Sequence, residues 1–288
     1  MSRYLIVNAD DFGHTMGVSE GVLQAHRDGI VTSTTVMINR PAAAESIRIA
    51  RRDAPVLGLG LHLNLTSGKP VLPAERIPAL VQADGSFHRP PLLVPMLQLS
   101  AIDMTQVEQE LRAQIDLFVQ LAGAAPDHLD SHHHITYASP GIAAVMLQLA
   151  AELDVPIRNA FPKISGAQDD TTTDERKDMP HDDSAWKDLL ARSQVRMPHP
   201  LMDAFYDEHA TLGDLLNVLM DTSPDGVSEL MCHPAVPDDD LRAESVYADR
   251  RGDELEALTH PSVLELVAAA GIELITFRRF SGNRSPKQ

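Results

Sequence analysis

Short apolar runs alternate along this chain with longer stretches of helical period. A brief apolar run bounded by polar residues suits a buried strand, and apolar residues returning every three or four positions suit an amphipathic helix. By these rules Leu5-Ile6-Val7, Val31 to Ile38, Val56 to Leu65, His128-Leu129-Asp130, Val155 to Arg158, Val227 to Cys232 and Ile272 to Phe277 predict strands. Gly17 to Asp28, Ala42 to Arg52, Thr105 to Leu121, Gly141 to Leu153, Leu212 to Met220 and Leu255 to Ala270 predict helices between them. Regular strand–helix alternation predicts a mainly parallel α/β architecture, and about seven such units favour a distorted (β/α) barrel in a single domain over residues 1–280.

Two segments break the rhythm. Thr66 to Ser100 is Pro-rich and predicts a long loop. Residues 165–184 are polar and acidic, with the run Gln168-Asp169-Asp170-Thr171-Thr172-Thr173-Asp174-Glu175, and predict a solvated surface insertion; a lid is the alternative. The tail 281–288 is expected to be disordered.

Composition narrows the partners. A net charge of −17 over 288 residues repels phosphate backbones and anionic membranes but not a neutral sugar. No apolar run is long enough to span a bilayer, and the first apolar run is too short for a signal peptide. The lone cysteine, Cys232, permits no internal disulfide, so a cytoplasmic location is expected. A homodimer is compatible with the sequence, although no feature demands one.

The chemistry-bearing residues share one position: each follows or ends an apolar strand. Asn8-Ala9-Asp10-Asp11 follows Leu5-Ile6-Val7, His62 ends the third strand, Asp130-Ser131-His132-His133-His134 follows the fourth, and His233 follows Cys232. In a parallel sheet or barrel all strands end on one face, where active sites form. Taken singly, each residue has an ordinary structural explanation. Asp10-Asp11 could cap a turn, His62 could be a satisfied core histidine, the three-histidine run a solvated loop, His233 a turn residue before Pro234, and Arg158 a surface ion-pair partner. Together at four strand ends they point to a divalent metal held by carboxylate and imidazole, a second carboxylate to accept a proton from water, and a further histidine to donate one. Cys232 and His233 are strand neighbours pointing to opposite faces, so a Cys–His nucleophile is not expected.

The same segments resemble a known family. Val7-Asn8-Ala9-Asp10-Asp11-Phe12-Gly13 is similar to the N-terminal signature of the YdjC-like carbohydrate deacetylases. Gly29-Ile30-Val31-Thr32-Ser33-Thr34-Thr35, Gly60-Leu61-His62-Leu63-Asn64-Leu65-Thr66 with Gly68-Lys69-Pro70, His128 to His134, and Met231-Cys232-His233-Pro234-Ala235 match in order. The resemblance implies a distorted barrel that hydrolyses the acetamido group of N-acetylglucosamine oligosaccharides such as diacetylchitobiose. It implies Asp11, His62 and His132 as metal ligands, Asp10 as general base and His233 as general acid. Arg158 would orient Asp10 or substrate. His14 stands where relatives carry a Leu-Ser-type sequence and is a candidate substrate or metal contact. Magnesium is the metal implied by the family, while two imidazoles suit zinc, manganese, cobalt or nickel equally well. Two other classes stay open: a metal-dependent sugar isomerase or aldolase, and a non-catalytic metal-stabilised sugar-binding protein.

Overall fold

The computed structural model describes residues 3–162 and 183–282. Its seven strands are β1 (Arg3–Phe12), β2 (Ser33–Val36), β3 (Gly58–Leu63), β4 (Leu129–Ser131), β5 (Leu201–Met202), β6 (Gly226–Cys232) and β7 (Ile272–Leu274). They form one curled parallel sheet in the order β4-β3-β2-β1-β6-β5. β7 pairs with the first residues of β1, Arg3 to Leu5, before β2 takes over that edge at Asn8. Helices α1 (Met16–Asp28), α2 (Ala43–Asp53), α4 (Met104–Ala122) and α5 (Pro140–Leu153) cover the outside on one side. Helices α7 (Leu212–Met220), α9 (Arg250–Leu258) and α10 (Pro261–Ala269) follow in the C-terminal half.

The gap between the two ends of the sheet, β4 and the β5 segment on β6, is bridged by single hydrogen bonds rather than a full ladder. Leu129 N donates to Pro156 O (3.1 Å), Arg158 N to Leu129 O (3.1 Å), Ile157 N to Arg196 O (3.0 Å) and His199 N to Val227 O (2.8 Å). This seam makes the barrel a distorted one. Val155 to Arg158 was expected as a strand, yet it contributes only one bridge, Leu129 to Ile157. Pro156 has no N–H to give, so a rung toward β4 is missing.

Other differences have local causes. The stretch Thr66 to Ser100 is not all loop: it holds a 3-10 turn at Ala74–Arg76 and helix α3 at Pro90–Gln98. Proline at the first helical positions costs no hydrogen bond, so Pro90 and Pro91 start a helix instead of marking a loop. The expected helix from Leu255 to Ala270 is two helices, α9 and α10, divided before Pro261; the residue before a proline is steered away from helical ψ, and His260 has ψ 133°. The expected last strand stops at Leu274, and Phe277–Gly282 forms helix α11. β5, α6 (Asp183–Arg192) and α8 (Asp239–Glu244) had no clear sequence signal. Most of the acidic insertion, 165–182, and the tail from 283 lie outside the described residues; Asp183 and Ser184 open α6, while Ser281 and Gly282 close α11.

Strand alternation sorts the chain between the helical layer and the barrel interior. Leu5, Val7 and Ala9 of β1, Leu59, Leu61 and Leu63 of β3, and Leu230 and Cys232 of β6 join the main apolar core. The opposite parity faces inward. At the strand starts Ile6 packs with Ile275 and Phe277 as an apolar plug. Above it His128 stacks on Phe277, with ring centroids 3.7 Å apart. Gly60 makes room for that imidazole, because a Cβ there would lie 2.4 Å from His128 Cε1. Further up, the inward positions are Asn8, Asp10, Thr35, His62, Asp130 and Glu229, all buried. A polar stack thus rises from an apolar plug to the strand ends.

Candidate active site

Asp10 and Asp11 are neighbours, and on a regular strand they would point to opposite faces. The β1–β2 register shifts between Ala9 and Phe12, and Asp11 adopts the left-handed conformation with φ 67°. This bulge lets both carboxylates line the same cleft at the strand ends. Left-handed backbone costs a non-glycine residue about 1–2 kcal/mol, and Asp and Asn are the side chains that adopt it most readily.

Donor atoms of Asp11, His62 and His132 all lie within 4.8 Å of one another. His132 Nδ1 is 2.9 Å and His62 Nε2 3.3 Å from Asp11 Oδ1. That oxygen is nevertheless buried without a hydrogen-bond partner. The other carboxylate oxygen, Oδ2, accepts from Arg251 Nη2 at 2.6 Å. Burial favours the neutral acid, but Arg251 and His132 outweigh it and hold Asp11 well below the ordinary carboxylate range. His62 pairs its Nδ1 with Asp130 Oδ1 at 2.6 Å, which leaves Nε2 for the cleft. A carboxylate behind a ligand histidine fixes its ring and raises its basicity. Burial opposes a charged His62, yet Asp130 with Asp11 and Asp10 pushes it up to about 10. Burial lowers the His132 pKa by more than Asp11 raises it. Four buried carboxylates, Asp10, Asp11, Asp130 and Glu254, and the half-titrating Glu229 stand against Arg158, Arg251 and the raised His62 imidazole. The orphaned Asp11 oxygen and this excess of negative charge fit a divalent cation on Asp11, His62 and His132. A second grouping, Asp10, His62 and Asp130, is equally compact. Its carboxylates are already committed to Arg158, Asn8 and Thr35, so the first grouping is the better donor set.

Arg158 is the hub beneath the second carboxylate. Its Nη1 and Nη2 reach Asp10 Oδ2 and Oδ1 at 2.6 and 2.7 Å, its Nε reaches Glu229 Oε1 at 2.7 Å, and Nη1 also lies 3.2 Å from Asp130 Oδ2. Burial would raise the Asp10 pKa, but the Arg158 guanidinium, helped by His62 and His233, holds it below the ordinary range. Asp10 is therefore a carboxylate at any physiological pH. Glu229 behaves oppositely: burial, only partly offset by Arg158, pushes it up to about 7.

His233 closes the far side. Its Nε2 lies 3.9 Å from Asp10 Oδ2, and its Nδ1 lies 3.7 Å from Glu254 Oε1. Glu254 of α9 also accepts the His233 backbone N–H and the Tyr247 hydroxyl. The cleft above these groups has a volume of about 740 Å³, within the range of small-molecule sites.

Every residue singled out in the sequence lies at this end of the barrel. Asp10, Asp11, His62, His132 and His233 line one cleft, and Arg158 lies directly beneath Asp10. His14 also lines the cleft, but its Nε2 is engaged by Glu244 Oε2 at 3.1 Å, and it stands apart from the Asp11 group. His133 and His134 line the cleft as well; His133 Nδ1 meets the Thr66 hydroxyl at 2.9 Å, and its ring packs 3.9 Å from that of His132. Sequence reasoning missed Asp130 as the partner of His62, Glu229 on Arg158, Arg251 on Asp11 and Glu254 behind His233. Asp130 and Glu229 had a signal, a charged residue at an inward position of an apolar strand. Arg251 and Glu254 sit on a helix of ordinary amphipathic pattern and had none.

Comparison with known proteins fits this geometry. The model of the family described as YdjC-like protein matches residues 4–269. A protein of Geobacillus stearothermophilus named carbohydrate deacetylase is 37% identical over 281 residues, covering 97% of this chain and 99% of its own length. One of the same name from Brevibacillus brevis is 35% identical over 273 residues, covering 95% and 98%. A crystal structure from Enterococcus faecalis, described as that of a candidate cellobiose-phosphate cleavage protein, superposes with a TM-score of 0.84 at 34% identity, covering 97% of this chain and 99% of that one. An α/β half-barrel with an acid- and histidine-lined mouth is the class that fold and site define. The chain belongs to the YdjC-like family.

Proposed function

We propose that this chain is a metal-dependent hydrolase that removes the acetyl group from an N-acetylated sugar, with an N-acetylglucosamine oligosaccharide such as diacetylchitobiose as substrate. The observation that carries this reading is the spare carboxylate. Asp10 lies beside the Asp11–His62–His132 donor set without belonging to it, and His233 stands 3.9 Å away on the cleft side. A site that only bound a sugar would need neither. The names of the relatives at 37% and 35% identity support the same reaction.

A divalent cation on Asp11, His62 and His132 would supply a Lewis acid for the acetyl carbonyl and lower the pKa of water. Two imidazoles and one carboxylate suit zinc, manganese, cobalt or nickel, and magnesium is the family expectation. Asp10, kept ionised and oriented by the two-pronged Arg158 contact, accepts the proton of the attacking water. The water oxygen bonds to the acetyl carbon, the C–N bond breaks, and His233 delivers a proton to the departing amine. Acetate and a free amino sugar leave. Glu254, 3.7 Å from His233 Nδ1 and bonded to its backbone N–H, holds the ring in place for this step. The one cysteine, Cys232, is buried and free, which fits a cytoplasmic enzyme. Among the described residues no helix is long and apolar enough to cross a membrane.

The test is acetate release from N,N′-diacetylchitobiose by protein stripped of metal and reloaded with each candidate ion. Asp10→Asn should lower turnover by at least about a hundredfold while binding metal as wild type does. A near-normal rate in that variant would remove Asp10 from the role of base. No release with any metal from any N-acetylated sugar would sink the deacetylase reading.

A further inference from the structure

Tyr206 is an aromatic ring left exposed inside a polar cleft. It follows β5, is 42% exposed, and lines the cleft beside His233. Its ring lies 4.2 Å from that of Tyr247 at a tilt of 32°, and 5.4 Å from the His233 ring at 66°. Tyr247 is almost fully buried and cannot swing: its hydroxyl donates to Glu254 and accepts the Asp207 backbone N–H at 3.1 Å. Asp207, the residue after Tyr206, adopts left-handed backbone with φ 53°. A non-glycine residue held there points to a turn fixed by its surroundings. Glu254 also accepts the backbone N–H of His233. One buried carboxylate therefore seats both the proton-donating histidine and the base of the aromatic pair.

We propose that Tyr206, backed by Tyr247, is a stacking platform for a pyranose ring of the substrate. This rests on the deacetylase reading. The amine that His233 protonates is bonded directly to a ring carbon of the sugar, so that ring must lie within a few ångströms of the imidazole. Tyr206 presents an exposed aromatic ring there, 5.4 Å from the His233 ring. A pyranose carries patches of C–H bonds on its faces and hydroxyls around its rim. An aromatic face meets the former while the phenol edge stays in water. Stacking of this kind holds the ring in the ground state and the transition state alike, so it acts on KM and leaves kcat in place.

Wild type, Tyr206→Ala and Tyr206→Phe are compared in two measurements. The first is the rate of acetate release from N,N′-diacetylchitobiose at varied concentration. The second is saturation-transfer NMR with the fully deacetylated disaccharide, which reports which ring protons touch the protein. Tyr206→Ala should raise KM about threefold to tenfold, keep kcat within about twofold, and lose transfer to the ring C–H protons. Tyr206→Phe should restore both, because the ring face and not the hydroxyl makes the contact. An unchanged KM in Tyr206→Ala, or a loss confined to kcat, overturns the platform; the latter would mean that Tyr206 only props His233. If wild type releases no acetate, the deacetylase reading falls separately, and the NMR alone decides. Transfer present in wild type and lost in Tyr206→Ala keeps the platform; absent or unchanged transfer overturns it.

Discussion

At the scale of single residues, the buried carboxylates differ in charge because their neighbours differ. Asp10 takes two hydrogen bonds from Arg158 and stays ionised, while Glu229 takes one and has its Oε2 buried without a partner. Burial therefore pushes Glu229 up to about 7 from its ordinary 4.5. Between those two values the folded chain holds a proton that the unfolded chain has released. The stability from Glu229 is complete below 4.5 and is lost as pH rises toward about 7. Glu229→Gln keeps an oxygen for Arg158 and removes the titration. Its stability relative to wild type should rise by about 3 kcal/mol between pH 4.5 and 7, at 1.36 kcal/mol per pKa unit. Urea denaturation at both pH values reads this; a difference independent of pH would mean that Glu229 is ionised throughout.

At the scale of elements, a helix fixes a loop that the sequence left open. Glu110 of α4 is fully buried and accepts the backbone N–H groups of Val71 and Leu72 at 2.9 and 3.0 Å. One turn later Gln114 donates to Asn64 O at 2.7 Å and accepts Asn64 N at 3.0 Å. Together they pin the chain after β3, which carries Ser67 and, further on, Arg89 to the cleft. Glu110→Ala would leave two half-buried N–H groups without their carboxylate partner, a loss of about 1–3 kcal/mol each at most. We expect a total near 3 kcal/mol in chemical denaturation, with faster amide exchange at Val71 and Leu72 and unaltered protection in α5. A loss below about 1 kcal/mol would mean that the loop finds other partners. The apolar periodicity of α4 was legible in the sequence, but these two polar residues gave no hint of their targets, which lie 39 and 50 positions away.

For the whole molecule, the weak place is the seam. β1 is paired along both edges, whereas residues 155–158 and 196–200 close the circle through isolated hydrogen bonds. Few backbone hydrogen bonds hold this seam, so amides at Ile157 and Arg158 should exchange at least about tenfold faster than the paired amides of β1 and β6. Equal protection would mean that the barrel opens only by global unfolding. The Arg158 side chain crosses this seam to Asp10 of β1 and Glu229 of β6. The charge network of the site therefore also ties together the strands that the backbone joins most weakly.

The sequence by itself determined the architecture and the face on which chemistry occurs. Strand–helix alternation requires a parallel sheet, and parallel strands all end on one side, so Asp10, Asp11, His62, His132 and His233 had to meet there. It also placed His62, Asp130 and Glu229 within strands, where a buried polar residue must find a partner, while Asn8 and Asp10 joined β1 only in the structure. Only the tertiary structure decided who the partners are. Arg251 reaches Asp11 across 240 positions, and Arg158 reaches Asp10 across 148; no local pattern records a contact of that range. The left-handed turn at Asp11, which turns two adjacent carboxylates into one site, exists because the bulge between β1 and β2 holds it. Local propensity is written in the chain, but a bulge or a hub is fixed by the many strands that close around it.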